Sequence, residues 1–381
     1  MSMRPLDDIV SFFSGNAWKA AQFSDKPPGM PIIRIQNVGL DTVSEFKYWP
    51  AEYQDRFIIE QGDLLLTLSG SFRTVVWNGP RALLNQRIVK VTPRDGIDKR
   101  WLFHALDDAM ERIANMGRWA LVSNVALSDL NNLNISVPPL EEQRRIAGIL
   151  DQADALRRLR NRALDKLNTL GQAIFHEMFG DFLNSKLMTP LAKLTTKIGS
   201  GATPRGGDAA YKDAGVPLIR SMNVRDGSFD RKGLAFLDDD QADGLKNVIV
   251  RGKDVLLNIT GASVARVALA PVELSGARVN QHVAIIRPAP EMLPEFLEAF
   301  LLLPSVKRNL LGIAEAGATR QAITKAQIEE FKVPLIPLKD QANFVARRNE
   351  AAHIAVLCGQ QQQQQVALFA SLQHRAFRGE L

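Results

Sequence analysis

Pro31-Ile-Ile-Arg-Ile-Gln-Asn-Val38 returns 186 residues later as Pro217-Leu-Ile-Arg-Ser-Met-Asn-Val224. Working outward from this pair, Asp63-Leu-Leu-Leu-Thr-Leu-Ser-Gly70 matches Asp254-Val-Leu-Leu-Asn-Ile-Thr-Gly261 at a shift of 191. Asn85-Gln86-Arg87-Ile88 matches Asn280-Gln281-His282-Val283 at 195, and Pro139-Leu140-Glu141-Glu142-Gln143 matches Pro337-Leu338-Lys339-Asp340-Gln341 at 198. Four matches in the same order make the chain a tandem duplication. A repeat of this length is a domain with an appendage, far longer than a solenoid unit. The shared blocks are short runs of Ile, Val and Leu bounded by Gly, Asn and Pro, which predict buried strands. The growing shift places the added residues in loops, 39–61 and 71–84 in the first copy and 225–251 and 262–279 in the second. A common framework with divergent loops is how related binders come to hold different ligands.

Each copy is expected to close alike. A helical stretch comes first (Trp101 to Met116; Glu295 to Leu311), then a short helix (Ser128 to Leu133; Lys325 to Phe331), then a strand stopped by proline at Val137-Pro138 or Val333-Pro334. From Glu141 the composition turns to Leu, Ala, Arg and Gln with apolar residues at heptad spacing. Ile149, Leu156, Ala163 and Leu170 form one row, and Ala153, Leu167 and Ile174 a second, which Arg160 interrupts. The C-terminal stretch places Ile354 and Leu368 in the first row, and Ala351, Cys358 and Leu372 in the second. Gln361 and Gln365 make its middle polar, and the Gln run is read as helix because the heptad frame crosses it. Two such helices bury their stripes on each other or on a partner. Antiparallel pairing brings Arg160 and Asn161 beside Gln360 to Gln365. About 38 residues of helix from Glu141 to Met178 make a rod of ~57 Å, long enough to act as a ruler between two domains.

The fold class is therefore α+β: a duplicated globular α/β domain, each copy followed by a long helix, with the helices pairing as an antiparallel coiled coil. The expected segments are 1–137, a central spacer 138–186, 187–335 and a C-terminal spacer 336–381.

The 381 residues are 46% hydrophobic and 23% charged, as in an ordinary soluble protein, and 47 Lys and Arg against 41 Asp and Glu give +6. That mild basicity suits a polyanion without demanding one. A single Cys358 rules out an internal disulfide, and no stretch is apolar enough to span a bilayer, so a cytoplasmic location is expected. Chemistry is missing. There is no G-x-x-x-x-G-K-[ST] loop, and Lys26-Pro27-Pro28-Gly29 lacks the polar head and aromatic of an amino-methyltransferase motif. Five scattered His residues and one Cys make no metal cluster. His282 stands where the first copy has Arg87, which argues against a ligand role. Gly199-Ser-Gly-Ala-Thr-Pro-Arg-Gly-Gly207 is either a phosphate cradle or a plain strand connection.

Val137-Pro-Pro-Leu-Glu-Glu-Gln143 with Ile146 and Ile149-Leu150 resembles the boundary motif of type I restriction-modification specificity subunits, as does Val333-Pro-Leu-Ile-Pro-Leu-Lys-Asp-Gln341. Ala376-Phe-Arg-Gly-Glu-Leu381 resembles that family's ending, and Gly199-Ser-Gly-Ala-Thr-Pro204 leading to Pro217-Leu-Ile-Arg220 the start of its target-recognition domains. The first copy departs from the pattern, with only Ser14-Gly15-Asn16 for the Gly-rich opening; in the second, Lys339-Asp340 replaces Glu141-Glu142 and Ile336 replaces Pro138. The resemblance covers essentially the whole chain and implies a non-catalytic subunit. Each domain would read half of a bipartite, asymmetric site on double-stranded DNA, and the helices would fix the gap and dock two methyltransferase subunits. Those partners would carry S-adenosylmethionine, and restriction subunits would bring ATP and Mg. Arg144, Arg145, Arg157, Arg158 and Glu142 offer docking surface or are plain solvated helix. A self-sufficient nuclease or methyltransferase, a protein scaffold without DNA, and a subunit serving methylation alone are the competing readings.

Base reading needs Arg, Lys, Asn, Gln, Ser or Thr on loops that enter a groove. The first copy offers Arg34, Arg56, Ser69, Ser71, Arg73, Arg81, Asn85 and Arg87. The second offers Arg205, Arg220, Asn223, Arg225, Arg231, Lys232, Arg266 and Arg278, with Thr319, Arg320 and Gln321 near its end. Arg34 and Arg220 are equivalent, as are Asn37 and Asn223, so these are framework or phosphate contacts; residues peculiar to one copy are better placed for specificity. Arg73→Ala is expected to weaken methylation at one half-site only, and an unaltered target preference and affinity would remove it from the reading set.

Overall fold

The computed structural model describes residues 2–39, 45–68, 73–115, 127–183, 188–204, 206–316 and 321–381. They divide into two compact units, Met1–Asn161 with Gln360–Leu381, and Arg162–Gly359. In both units the quoted blocks build the same four-stranded antiparallel sheet. In the first, β1 (Val10–Ser14), β2 (Leu64–Thr67), β3 (Thr74–Val76) and β4 (Ile88–Pro93) lie in the order β1-β4-β2-β3. In the second, β5 (Thr195–Ser200), β6 (Val255–Asn258), β7 (Val267–Leu269) and β8 (Val283–Pro288) lie in the order β5-β8-β6-β7. Every residue of β2 and β6 is buried, so both faces of the sheet are covered and the strands read as unbroken apolar runs rather than alternating ones.

A second sheet holds the Pro31 and Pro217 blocks. Met30–Ile33 pairs in parallel with Ala82–Leu84 and antiparallel with Lys47–Trp49. Val216–Ile219 does the same with Arg278–Val279 and Ala235–Leu237. Parallel partners need a long crossover, which the segments between the blocks supply. Each repeat then closes on itself: Ser2–Pro5 pairs antiparallel with Asn134–Val137, and Met188–Pro190 with Lys332–Pro334. The helices before these last strands are Lys99–Asn115 and Leu127–Asn131 in the first repeat. In the second, the single stretch expected from Glu295 to Leu311 is two helices, Pro294–Leu301 and Pro304–Glu315. Pro304 lacks an amide hydrogen and forces Leu303 out of helical backbone, so it ends one helix and starts the next.

The glutamines of the two boundary motifs fasten each long helix to its domain. Gln143 is 1% exposed; its Oε1 accepts from the Asp98 N–H (2.7 Å), and its Nε2 donates to the carbonyls of Pro138 (2.9 Å) and Gly96 (3.1 Å). Gln341 is wholly buried and repeats the set, accepting from Leu293 (2.7 Å) and donating to Ile336 (2.7 Å) and Glu291 (2.9 Å). One side chain thus pairs three backbone groups that a loop entering a helix leaves without partners. A second tie joins the same elements: His104 to Asp151 (2.7 Å) in the first repeat, Arg348 to Glu298 (2.9 Å) in the second.

The central helix runs Leu140–Leu183 and the C-terminal helix Leu338–Arg378. Within the first unit Arg145 donates to the Leu381 carbonyl (2.8 Å), the Arg157 guanidinium lies 5.0 Å over Phe369, and Arg160 donates to Gln361 (3.0 Å), with Gln362 bonded to Asn161. Within the second, Arg347 reaches Glu177 (3.2 Å). Partner numbers fall as residue numbers rise, so the pairing is antiparallel and the polar midsections meet as expected.

The seam departs from the expected rows by one residue. The inward positions are Ile146, Ala153, Arg160, Leu167 and Ile174 with Leu150, Arg157, Leu164, Gly171 and Met178. On the C-terminal helix they are Phe344, Ala351, Cys358, Gln365 and Leu372 with Arg348, Ala355, Gln362, Phe369 and Ala376. Ala153, Arg160, Leu167, Cys358 and Leu372 therefore keep their seam places. Leu156, Leu170, Ile354 and Leu368 are exposed, and Ile149 is only half-buried at the flank. Domain packing sets the rotation: Ile146, Ala147 and Leu150 are locked into the first core with Trp101 and Ala376, and Ile174, Phe175 and Phe179 into the second with Phe296 and Phe344. Phe175 stacks on Phe296 at 5.3 Å and meets Phe344 edge-on at 5.2 Å, contacts of about 0.5–1.5 kcal/mol each beyond burial. With the ends held, Arg157 is carried onto the seam although Leu156 lies one residue away.

Gln341→Ala leaves three buried backbone groups unpaired and is expected to lower the unfolding free energy by roughly 2–4 kcal/mol in urea denaturation. A loss near zero would show that the amide is dispensable.

Candidate nucleic-acid interface

One end of each four-stranded sheet carries the C-terminal end of β2 or β6 and the start of β4 or β8, whereas the variable segments 39–61 and 225–251 enter β2 and β6 from the opposite end. In the second repeat the Gly-rich loop leaves β5 and presses on the strand before Asn280. A Cβ on Gly201 would sit 1.7 Å from the Val279 carbonyl oxygen, so only glycine fits. Gly15 is in the same state in the first repeat, with a Cβ position 2.3 Å from the Leu84 oxygen. The adjoining strand ends are stitched alike, the Leu68 N–H to the Arg87 carbonyl (3.1 Å) and the Ile259 N–H to the His282 carbonyl (3.0 Å). Gln321 joins this end through its carbonyl, which accepts from the Gly261 N–H at 3.2 Å.

The opposite end is fixed by ion pairs. Asp254, 2% exposed, takes two bonds of 2.7 Å from Arg287 and one of 2.7 Å from the Arg251 N–H. Asp63 holds Lys90 (2.8 Å) and the Glu60 N–H (2.9 Å) in the same way. Glu295, whose carboxyl is drawn below its ordinary range chiefly by Lys253 against the opposing effect of burial, belongs to this end as well.

The proposed DNA residues separate into three groups. Four belong to the framework. Asn37 accepts from the Arg34 N–H, and Asn223 from the Arg220 N–H, both at 3.0 Å; the two asparagines cap identical turns, with amide groups donating to Glu45 (3.2 Å) and Asp230 (2.9 Å). The Arg220 guanidinium donates to the Gly233 carbonyl (2.6 Å) and covers the Tyr211 ring, while Arg34 reaches the Glu45 carbonyl (3.3 Å). Arg278 turns inward onto the carbonyls of Ala242 (3.0 Å), Gly276 and Ala277, and burial lowers its pKa. Arg34, Arg220, Asn223 and Arg278 thus bond backbone groups of their own domain, as the framework role expected for the equivalent residues would have them do.

The second group, Arg266 apart, is exposed. Arg56 lies over Phe57, Arg81 is 3.7 Å from Glu60, and Arg87 and Lys232 face solvent. Arg225 pairs with Asp230 (3.5 Å), whose carboxyl is held low by the Lys232 N–H first and by Arg225 after desolvation; Arg231 pairs with Glu273. Arg73 is pinned at its backbone by Thr67 Oγ1 (2.9 Å) and reaches the Val38 carbonyl (3.4 Å); Arg266 is half-buried beside β6. The third group, Ser71, Arg205 and Arg320, with Ser69 and Thr319, lies outside the described residues. The sequence reading left Thr203, Thr260 and Gln281 ungrouped and set His282 aside. The sign that could have found them is the recurring Asn-Gln pair followed by a residue that differs between copies.

In the first unit a cleft of about 700 Å³ separates β3 from the helices, lined by Arg73, Arg100, Arg157 and Arg158 and by Asp107, Asp151 and Asp154. Asp154 holds both Arg157 and Arg158 at 2.6 Å, and Asp151 holds Arg100 and His104, so the lining is largely self-neutralised. Among the described residues no group of three His, Cys, Asp or Glu side chains is placed to hold a metal ion, and no helix is long and apolar enough to cross a membrane.

Fold and sites define a tandem two-domain protein in which framework arginines hold the loops and a coiled coil joins the halves. The family model for the type I restriction modification DNA specificity domain matches residues 1–169 and 196–347, and the chain belongs to that family. It is similar to the EcoBI specificity subunit of Escherichia coli, 26% identical over 99% of this chain and 85% of that protein. It is likewise similar to the EcoKI specificity subunit of E. coli strain K12, 22% identical over 99% of this chain and 88% of that protein. Its fold is shared with the S subunit of M. genitalium (TM-score 0.54, 13% identity, 99% and 96% of the two chains). It is also shared with a type I R-M system chain from a study of complex assembly and conformational transition (TM-score 0.62, 20% identity, 100% and 98%). The chain is thus the specificity subunit of a type I restriction-modification system, and catalysis lies in other subunits.

Because Arg220 acts on backbone carbonyls, Arg220→Ala is expected to cost about 1–2 kcal/mol of stability in the second repeat, seen in thermal melting. An unchanged melt with weakened DNA binding would return Arg220 to the readers.

Proposed function

We propose that each repeat reads one half of a bipartite, asymmetric site on double-stranded DNA, and that the two long helices set the gap and dock two methyltransferase subunits. The observation that carries this reading is the duplicated sheet: the four-stranded antiparallel sheet has the same strand order and the same end stitching in both repeats, with Arg87 in one turn where His282 stands in the other. Two similar readers with different contacts call for two different half-sites. The helices add a docking surface. Leu156, Leu159 and Leu170 on the central helix, and Ile354, Val356, Leu357, Val366 and Leu368 on the C-terminal helix, are exposed apolar side chains. Rows of this kind suit partner helices, which would bury them. Restriction and translocase subunits would join through the assembled complex. S-adenosylmethionine, ATP and Mg would be bound by those partners, in the cytoplasm.

The test is to co-express the chain with a methyltransferase subunit and map every methylated adenine in the host DNA. One split motif with two different halves and a fixed gap is expected. Scattered or absent methylation from a stable complex would overturn the reading in favour of a protein scaffold. DNA affinity of the complex should also fall steeply with salt, since phosphate contacts release counterions.

A further inference from the structure

In the second repeat Thr203, Gln281, His282 and Thr260 form one hydrogen-bonded chain across the loop-bearing end of the sheet. The Thr203 hydroxyl donates to Gln281 Oε1, and Gln281 Nε2 donates to His282 Nε2 at 3.1 Å. His282 Nε2 is then an acceptor, so Nδ1 carries the proton and donates to Thr260 Oγ1. The four groups run in one direction. The Asn280 carboxamide accepts from the His282 N–H (3.1 Å) and closes the turn beneath, leaving Gln281 exposed.

The network uses half of the Gln281 amide. One N–H and one carbonyl lone pair of the amide are not used by these bonds. That is the donor–acceptor pair that fits N7 and the N6 amino group of adenine in the major groove. The first repeat has the same turn, since the Ile88 N–H meets the Asn85 carbonyl (2.9 Å) as the Val283 N–H meets that of Asn280 (3.3 Å). Gln86 occupies the Gln281 position and is exposed; the next residue is Arg87, also exposed, whose fork fits O6 and N7 of guanine. No acidic residue stands in 199–204, 258–263 or 280–283, nor in 14–16 or 85–88, whereas Asp63, Asp254 and Glu295 are held at the other end of the sheets. A surface free of carboxylates is the one that can approach phosphates.

We propose that this turn is the base-reading element of each repeat: Gln281, oriented by Thr203 and His282, reads an adenine in one half-site, and Arg87, beside Gln86, reads a guanine in the other. The assignment rests on the DNA-reading function proposed above.

The experiment maps methylated adenines for the co-expressed complex carrying the natural chain, Gln281→Ala, or Arg87→Ala. Gln281→Ala is expected to relax one adenine position in one half-site and to cut methylation of the natural site about ten- to a hundredfold, with the spacing and the other half unchanged. Arg87→Ala is expected to relax a guanine in the opposite half. The intact half and spacing report a folded complex. If Gln281→Ala abolishes both halves, the near-isosteric Gln281→Glu replaces it and is expected to move that position towards cytosine, whose N4 amino group a carboxylate accepts from. Natural-chain motifs preserved in these variants would overturn the assignment while leaving the DNA-reading function in place. No split motif from the natural chain would remove both.

Discussion

A buried glutamine amide at the start of each long helix is the interaction on which the other parts depend. Gln143 and Gln341 each hold the first helical turn, the loop before the domain helices and the carbonyl just ahead of the boundary residue with three bonds of 2.7–3.1 Å. At burial of this depth an unpaired backbone group costs about 1–3 kcal/mol, so the amide is worth more for what it satisfies than for its own bonds. Its geometric effect is larger still. A helix fixed at its first turn has a fixed rotation, and rotation decides every residue on the seam.

That rotation explains the polar seam. Arg157, Arg160, Gln362 and Gln365 lie inward although Leu156, Leu159 and Leu368 are available one turn of the wheel away. The arginines are accommodated through Asp154, the Phe369 ring and Gln361 rather than left unpaired. Matched polar groups at a coiled-coil seam favour one register over its neighbours at some cost in stability. A spacer whose register slipped could not hold a fixed gap. The displaced leucines are left on the outside, where a partner helix can cover them.

Within each repeat, polarity is segregated along the strands. The end near the long helix is held by Asp63–Lys90 or Asp254–Arg287 and anchors the sheet; the other end carries close-packed glycine loops and uncharged or cationic side chains. Framework arginines such as Arg34, Arg220 and Arg278 keep their guanidinium groups on carbonyls, so the loop shape does not depend on a bound polyanion. Such preorganisation spares a ligand the cost of ordering the loop.

Much of this architecture was legible in the residues. The Pro31 and Pro217 blocks, with their three companions, determined the duplication, the strands and the two closing helices, because buried strands and boundary prolines leave short, contiguous signatures. The meeting of Arg160 and Asn161 with the Gln run followed from antiparallel heptads. The seam row did not follow: Leu156 and Arg157 are neighbours, and their own side chains favour the wrong one. The choice between them was made by Ile146 and Phe175 packing into domain cores formed by strands far away in sequence. The surroundings of the candidate side chains were hidden for the same reason. Arg34 and Arg231 look alike on paper, yet one is bonded to a carbonyl and the other to a carboxylate at the surface. Gln281 gains its orientation from Thr203 and His282, and its distance in sequence from Thr203 conceals their contact. The sequence by itself determined which elements form and in what order, since local pattern suffices for that; only the tertiary structure decided which face each helix buries and which polar groups remain free, since those depend on partners brought together by folding.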